Sequence, residues 1–178
     1  MTRRTAHILT AVSPLIALTL WAQGQNRVSP HETVSVDLDG KKISITYGRP
    51  SLKGRHVGEE VAPYGKVWRL GADEATKISV NANTTISDAS VELLPGSYAL
   101  FAIPGQNKWT MIVNKVADQW GAFKYDQSQD LGRFDLNVKQ LASPVEQFTI
   151  KLDKEGNNTA RLTLEWDKAS VSTTLKVQ

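Results

Sequence analysis

The sequence predicts an all-β fold: a single domain built as an antiparallel two-sheet β-sandwich of jelly-roll-like type. Three observations predict it. Apolar and polar residues alternate with a period of two through most of the chain after Thr33. Turn residues recur roughly every ten positions. No stretch shows the three-to-four spacing of an amphipathic helix.

The first element is a hairpin. Val34, Val36 and Leu38 alternate with polar residues, Asp39-Gly40 supplies a two-residue turn, and Ile43, Ile45 and Tyr47 alternate after it. Closing the turn there sets Val36 opposite Ile43 and Val34 opposite Ile45, on one face. Two glycines and a proline between Tyr47 and Arg55 end the strand in a loop, and His56 to Pro63 continues without a period. The stretch from Tyr64 to Ile78 then gathers Trp68, Arg69, Asp73, Glu74, Gly65 and Gly71 in a pattern that is neither strand nor helix. Such chemistry is expected to fix a special backbone path, a polar site, or both.

Ile78 and Val80 restore the alternation, Asn81-Ala82-Asn83 turns the chain, and Thr84–Ser87 and Ser90–Leu94 read as short strands. Ser97–Ile103 is apolar on both faces between Pro95-Gly96 and Pro104-Gly105, the pattern of a strand buried on both sides. Trp109–Asn114 is its expected hairpin partner, and a short helical turn is expected around Val116–Gln119. Phe134, Leu136 and Val138 form another strand, which Ser143-Pro144 is expected to break. Phe148, Ile150 and Leu152 alternate next. After the turn at Glu155-Gly156-Asn157-Asn158 come Ala160, Leu162, Leu164 and Trp166, and then Val171, Leu175 and Val177 in a last strand. The total is about nine to eleven short strands in one domain.

The chain opens as a secretory leader does. Met1-Thr2-Arg3-Arg4 is a basic start, Ile8–Trp21 an apolar run and Ala22-Gln23-Gly24 a small-x-small cleavage site. Residues 1–24 are therefore expected to be a signal peptide and residues 25–178 the mature domain, exported to the periplasm or secreted. The run is shorter than the roughly 20 apolar residues a membrane span needs, and no later stretch is longer. The formal charge of +3 falls to about +1 without Arg3 and Arg4, since 19 Lys and Arg then face 18 Asp and Glu. No basic stripe marks a nucleic-acid binder. The absence of cysteine excludes disulfides, thiolate metal sites, a cysteine nucleophile and lipid attachment through an N-terminal cysteine.

Four ordered blocks, at residues 47–55, 63–78, 94–105 and 120–126, carry a family likeness. They read Tyr-Gly-Arg-Pro-Ser-Leu-Lys-Gly-Arg, Pro-Tyr-Gly-Lys-Val-Trp-Arg-Leu-Gly-Ala-Asp-Glu-Ala-Thr-Lys-Ile, Leu-Pro-Gly-Ser-Tyr-Ala-Leu-Phe-Ala-Ile-Pro-Gly and Trp-Gly-Ala-Phe-Lys-Tyr-Asp. In them the chain resembles the bacterial domain of unknown function 2911, over nearly all of its mature length. The resemblance implies an exported bacterial protein and no particular activity.

The candidate ligand-binding residues are Tyr47, Arg49, Arg55, Trp68, Arg69, Asp73, Glu74 and Tyr98. In one reading Arg69 grips an anionic or hydroxyl-rich ligand on which Trp68 stacks. In the other, Arg69 pairs with Asp73 or Glu74 and Trp68 lies in the core. Arg49, Lys53 and Arg55 form either an anion-binding loop beside this segment or a solvated one. In extended backbone Asp73 and Glu74 would point to opposite faces, a poor acid/base pair. A metal site from His56 with Asp73 or Glu74, and a Ser51–His56 hydrolase arrangement, are the weaker alternatives, as no Gly-x-Ser-x-Gly elbow and no second histidine at ligand spacing exists. Trp109, Trp120, Phe123 and Tyr125 would serve either as a sugar-stacking platform or as core. No catalytic set, cofactor motif or metal set emerges. The expected function is non-catalytic binding of a small polar ligand, a glycan or a partner protein, with a carbohydrate hydrolase or a purely structural domain as alternatives.

Overall fold

The computed structural model describes residues 27–87, 89 and 91–178, and the expected signal peptide, with the expected start of the mature chain at Gln25, lies outside them. The described chain forms ten strands: β1 (His31–Leu38), β2 (Lys41–Gly48), β3 (Thr76–Val80), β4 (Thr84–Ile86), β5 (Val91–Leu93), β6 (Gly96–Ile103), β7 (Lys108–Asn114), β8 (Asp130–Asn137), β9 (Lys139–Lys154) and β10 (Thr159–Val177). They make two antiparallel sheets, one of order β1-β2-β3-β6-β7-β8 and one of order β5-β4-β10-β9. The all-β sandwich expected from the alternation is the fold found.

The first hairpin has the expected register, Val36 opposite Ile43 and Val34 opposite Ile45. Asp39 and Gly40 both take positive φ, 56° and 84°, as a tight turn between twisted strands demands. The Asp37 carboxylate accepts from the Gly40 N–H at 2.8 Å and holds the turn. The main core lies between the sheets, where Ile43, Ile45, Ile78, Leu100 and Met111 meet Ile86, Ile150, Leu164 and Leu175. β6 sits between β3 and β7 and is buried on both faces, as its sequence predicts. Leu100 points into the main core. Phe101, Ala99 and Ile112 join Ala75 in a smaller outer core, covered by Val67, Ala122 and Tyr125. Parts of two irregular segments, at Val67 and Ala75 and at Ala122–Tyr125, thus cover the outer face of the large sheet, while Leu52, Val57, Val61, Trp68 and Leu70 pack into the main core.

Three local expectations are corrected. Ser143-Pro144 does not end a strand, because β9 runs through it to Lys154. β9 is the edge of its sheet, where a missing N–H leaves no ladder bond unmade. Residues 160–166 and 171–177 are one strand, β10, whose pairing with β9 shifts register at Asp167, where φ is 52°. Val116–Gln119 forms no helical turn. There the Asn114 side-chain oxygen accepts from Val116 N–H and from the Gln119 amide, each at 3.1 Å, and the segment is pinned open.

Candidate functional site

Where β3 stops, the preceding segment continues alongside β6: Trp68 and Ala102 exchange both backbone hydrogen bonds, at 2.7 and 2.9 Å. The chain then reverses tightly before β3. Leu70 and Asp73 take φ of 56° and 62°, conformations that side chains rarely adopt. Thr76 stabilises this reversal by donating its hydroxyl to the Leu70 carbonyl at 2.5 Å, and Trp68 Nε1 donates to the Gly71 carbonyl at 3.1 Å. Gly48 and Gly71 are required here because the two backbones touch. A Cβ on Gly48 would stand 2.3 Å from the Ala72 carbonyl oxygen, and one on Gly71 would stand 2.8 Å from the Gly48 oxygen.

The left-handed turn at Asp73 overturns the expectation that Asp73 and Glu74 face opposite ways. Both converge on one imidazole: His31 Nε2 lies 3.1 Å from Asp73 Oδ2 and 3.4 Å from Glu74 Oε2. The Asp73 carboxylate also accepts from Ser29 N–H at 3.3 Å and Val28 N–H at 3.4 Å. Glu74 Oε1 takes a forked contact from Arg27, 2.9 Å from Nε and 2.7 Å from the terminal nitrogen. The arm Arg27–Pro30 is thereby strapped to the reversal. Burial alone would raise both carboxyl groups. For Asp73 the bonds from His31, Ser29 and Val28 outweigh it, and for Glu74 the contact with Arg27 does, so both rest below the ordinary carboxylate range. Both are therefore ionised at neutral pH.

Beside this cluster an open cleft of about 370 Å³ lies on the outer face of β2 and β3. Thr46, Gly48 and Lys77 line it from the sheet, Arg27, His31 and Glu74 from one wall, and Ala117–Trp120 from the other. The walls are joined by a backbone bridge between Glu74 and Trp120 and by the Ala75 N–H to the Gln119 carbonyl at 2.9 Å. Lys77 crosses to Asp118 at 2.9 Å. Two buried acceptor oxygens of these walls, Glu74 Oε2 and Gln119 Oε1, have no hydrogen-bond donor. The Gln119 amide nitrogen is already committed to Asn114 and Val116, and His31 stands nearer Asp73 than Glu74. An acceptor left this way costs about 1–3 kcal/mol.

Of the eight residues singled out from the sequence, Glu74 lines the cleft, Tyr47 borders it with its ring turned into the core, and Asp73 supports it from behind. The others hold the fold. Trp68 is 9% exposed and lies flat on Trp166, ring centroids 5.4 Å apart, with Trp109 and Phe148 edge-on. Arg69 donates to the Asp73 carbonyl at 2.9 Å, not to a carboxylate. Arg49 ties the sheets together, bonding Glu32 at 2.9 Å, the Phe148 carbonyl at 3.2 Å and Thr149 at 3.0 Å. Arg55 closes its own loop on the Leu52 and Ser51 carbonyls, and the Tyr98 hydroxyl caps Leu94. The Tyr47 hydroxyl takes the Ile150 N–H at 2.9 Å. Among the four aromatics weighed as a platform, Trp109 is core, Tyr125 packs on Phe101, Phe123 is exposed and Trp120 alone lines the cleft.

His56 meets Asp167, at 3.2 Å, rather than Asp73 or Glu74. Among the described residues no cluster of His, Cys, Asp and Glu is arranged to hold a metal ion, and no helix is long and apolar enough to cross a membrane. Sequence reasoning missed Arg27, His31, Lys77 and Gln119. Arg27 reaches Glu74 across 47 positions, and no local pattern signals that pairing.

Comparison with known proteins gives one match. The family model described as protein of unknown function (DUF2911) matches residues 29–175. No curated protein and no solved structure matches the chain.

Proposed function

We propose, from the premise that the chain belongs to the DUF2911 family of proteins of unknown function, that it is an exported, non-catalytic binding module whose cleft takes a hydroxyl-rich ligand such as the end of a glycan. One observation carries this reading. Two buried acceptors in the walls, Glu74 Oε2 and Gln119 Oε1, lack donors, and the cleft between those walls offers an indole, Trp120. Sugars present donors along their hydroxyls and an apolar face to an aromatic ring. The volume of about 370 Å³ falls at the small end of ordinary ligand sites. The ionised state of Asp73 and Glu74 argues against the hydrolase alternative, which needs one carboxyl group raised to act as an acid.

Equilibrium binding to a panel of neutral di- to tetrasaccharides tests the reading. At least one member binds, and Glu74→Gln weakens it by about tenfold because a charged acceptor is lost. Equal binding by the variant removes Glu74 from the site. Export rests on Arg3-Arg4, the Ile8–Trp21 run and Ala22-Gln23-Gly24. Sequencing of protein recovered outside the cytoplasm should begin near Gln25, and full-length chain confined to the cytoplasm would end that part of the proposal.

A further inference from the structure

A second group of side chains meets where β9 and β10 fall out of step. From Glu165↔Thr149 to Asp167↔Val145, β10 advances two residues while β9 advances four, and from there to Ala169↔Gln140 it advances two against five. The extra β9 residues bulge outward and pair instead with the loop after β2: Leu52 N–H reaches the Glu146 carbonyl at 2.9 Å and Phe148 N–H the Pro50 carbonyl at 2.9 Å. A groove of about 260 Å³ opens at this junction, its apolar wall formed by Leu52 and Pro144.

Asp167 sits at the bulge with φ 52°, and such strain in a non-glycine residue is typically kept where a side chain must be aimed. Its Oδ2 accepts from Val57 N–H at 3.3 Å and from His56 Nδ1 at 3.2 Å. This holds the imidazole by one nitrogen, while the ring is 65% exposed and its Nε2 has no partner among the described residues. Arg55 and Lys168 line the same groove. Arg55 has one terminal nitrogen left after its bonds to Leu52 and Ser51, and Lys168 has no ion pair among the described residues. The two acids present are occupied, Asp167 as above and Glu146 by the Lys53 N–H at 2.9 Å. A smaller cavity, of about 60 Å³, shares Asp167 and Lys168 with the groove and is also lined by Trp109. The buried Nε1–H of Trp109 has no acceptor. Arg55, Lys168 and the Trp109 Nε1–H are thus unmatched donors or cations, the reverse of the unmatched acceptors in the cleft.

We propose that this groove is a second binding site, for a small organic carboxylate with an apolar body. The carboxylate is received by the Arg55 guanidinium and Lys168, beside the His56 ring, and the body lies on Leu52 and Pro144. Benzoate is the probe, followed through the NMR signals of the His56 ring in the mature chain, with His31 as internal reference. Benzoate should shift the His56 signal saturably and leave His31 in place. Lys168→Gln should weaken binding about tenfold with an unchanged melting temperature. Glu74→Gln should leave benzoate binding unchanged, so failure of this site and failure of the cleft reading are told apart. A shift that does not saturate, equal movement of both histidines, or unchanged binding by Lys168→Gln would overturn the site. Inorganic phosphate binding as tightly as benzoate would overturn the assignment of an apolar body.

Discussion

His31 Nε2 stands 3.1 Å from Asp73 Oδ2, across 42 positions of the chain, with the two side chains only 17% and 10% exposed. This contact, with Glu74 at its side, fastens the start of β1 to the reversal that precedes β3. It anchors one wall of the cleft.

The first prediction is a pH dependence with a definite sign. Burial opposes ionisation of Asp73 and Glu74, and the bonds from His31, Ser29, Val28 and Arg27 more than offset it, so both are depressed in the folded chain. As pH falls, the unfolded chain takes up these protons first, at about pH 4. The stabilisation is therefore full above that range and is lost as pH drops through the lower folded values. Urea melts of wild type and Asp73→Asn should show the wild type losing stability more steeply between neutral and acid pH. Parallel pH profiles would mean that Asp73 is not held by these bonds.

The second concerns β6. Leu100 and Phe101 are 3% and 0% exposed on opposite faces. Leu100→Ala should cost about 2–5 kcal/mol and Phe101→Ala about 3–5 kcal/mol. The amides of β6 should be among the slowest to exchange. A cost below about 1 kcal/mol at either position would contradict burial of that face.

Arg69 gives the third. A buried Arg69–carboxylate pair would make its removal cost about 3–5 kcal/mol, but its partner is the Asp73 carbonyl, at 2.9 Å. Arg69→Met strands no charge. It should lower stability by about 1.5–3 kcal/mol, the worth of one charged hydrogen bond, with an unchanged denaturant slope. A loss above about 3 kcal/mol would restore the ion-pair reading.

What was legible in the sequence was the local pattern. Val36 and Ile43 face each other because Asp39-Gly40 closes only one register, and Ser97–Ile103 shows its double burial in its own composition. The errors arose where neighbours in space override local signals. Pro144 ends a strand only if its N–H is needed, and at the edge in β9 it is not. Extended backbone would set Asp73 and Glu74 on opposite faces, whereas Asp73 lies at φ 62°. The candidate site was half visible. Glu74 and Tyr47 were singled out, but the polar arm at Arg27 and His31 reads as an ordinary terminus until the fold brings it against Asp73 and Glu74.

The central claim is that the cleft between Glu74 and Trp120 receives a hydroxyl-rich ligand, and amide chemical-shift mapping with the neutral oligosaccharide panel tests it most directly. The account predicts that a binding member shifts the amides of Thr46, Glu74–Lys77 and Asp118–Trp120, with little change in the groove near Asp167 and Lys168. No saturable shift with any member of the panel, or shifts that avoid the cleft residues, would contradict it.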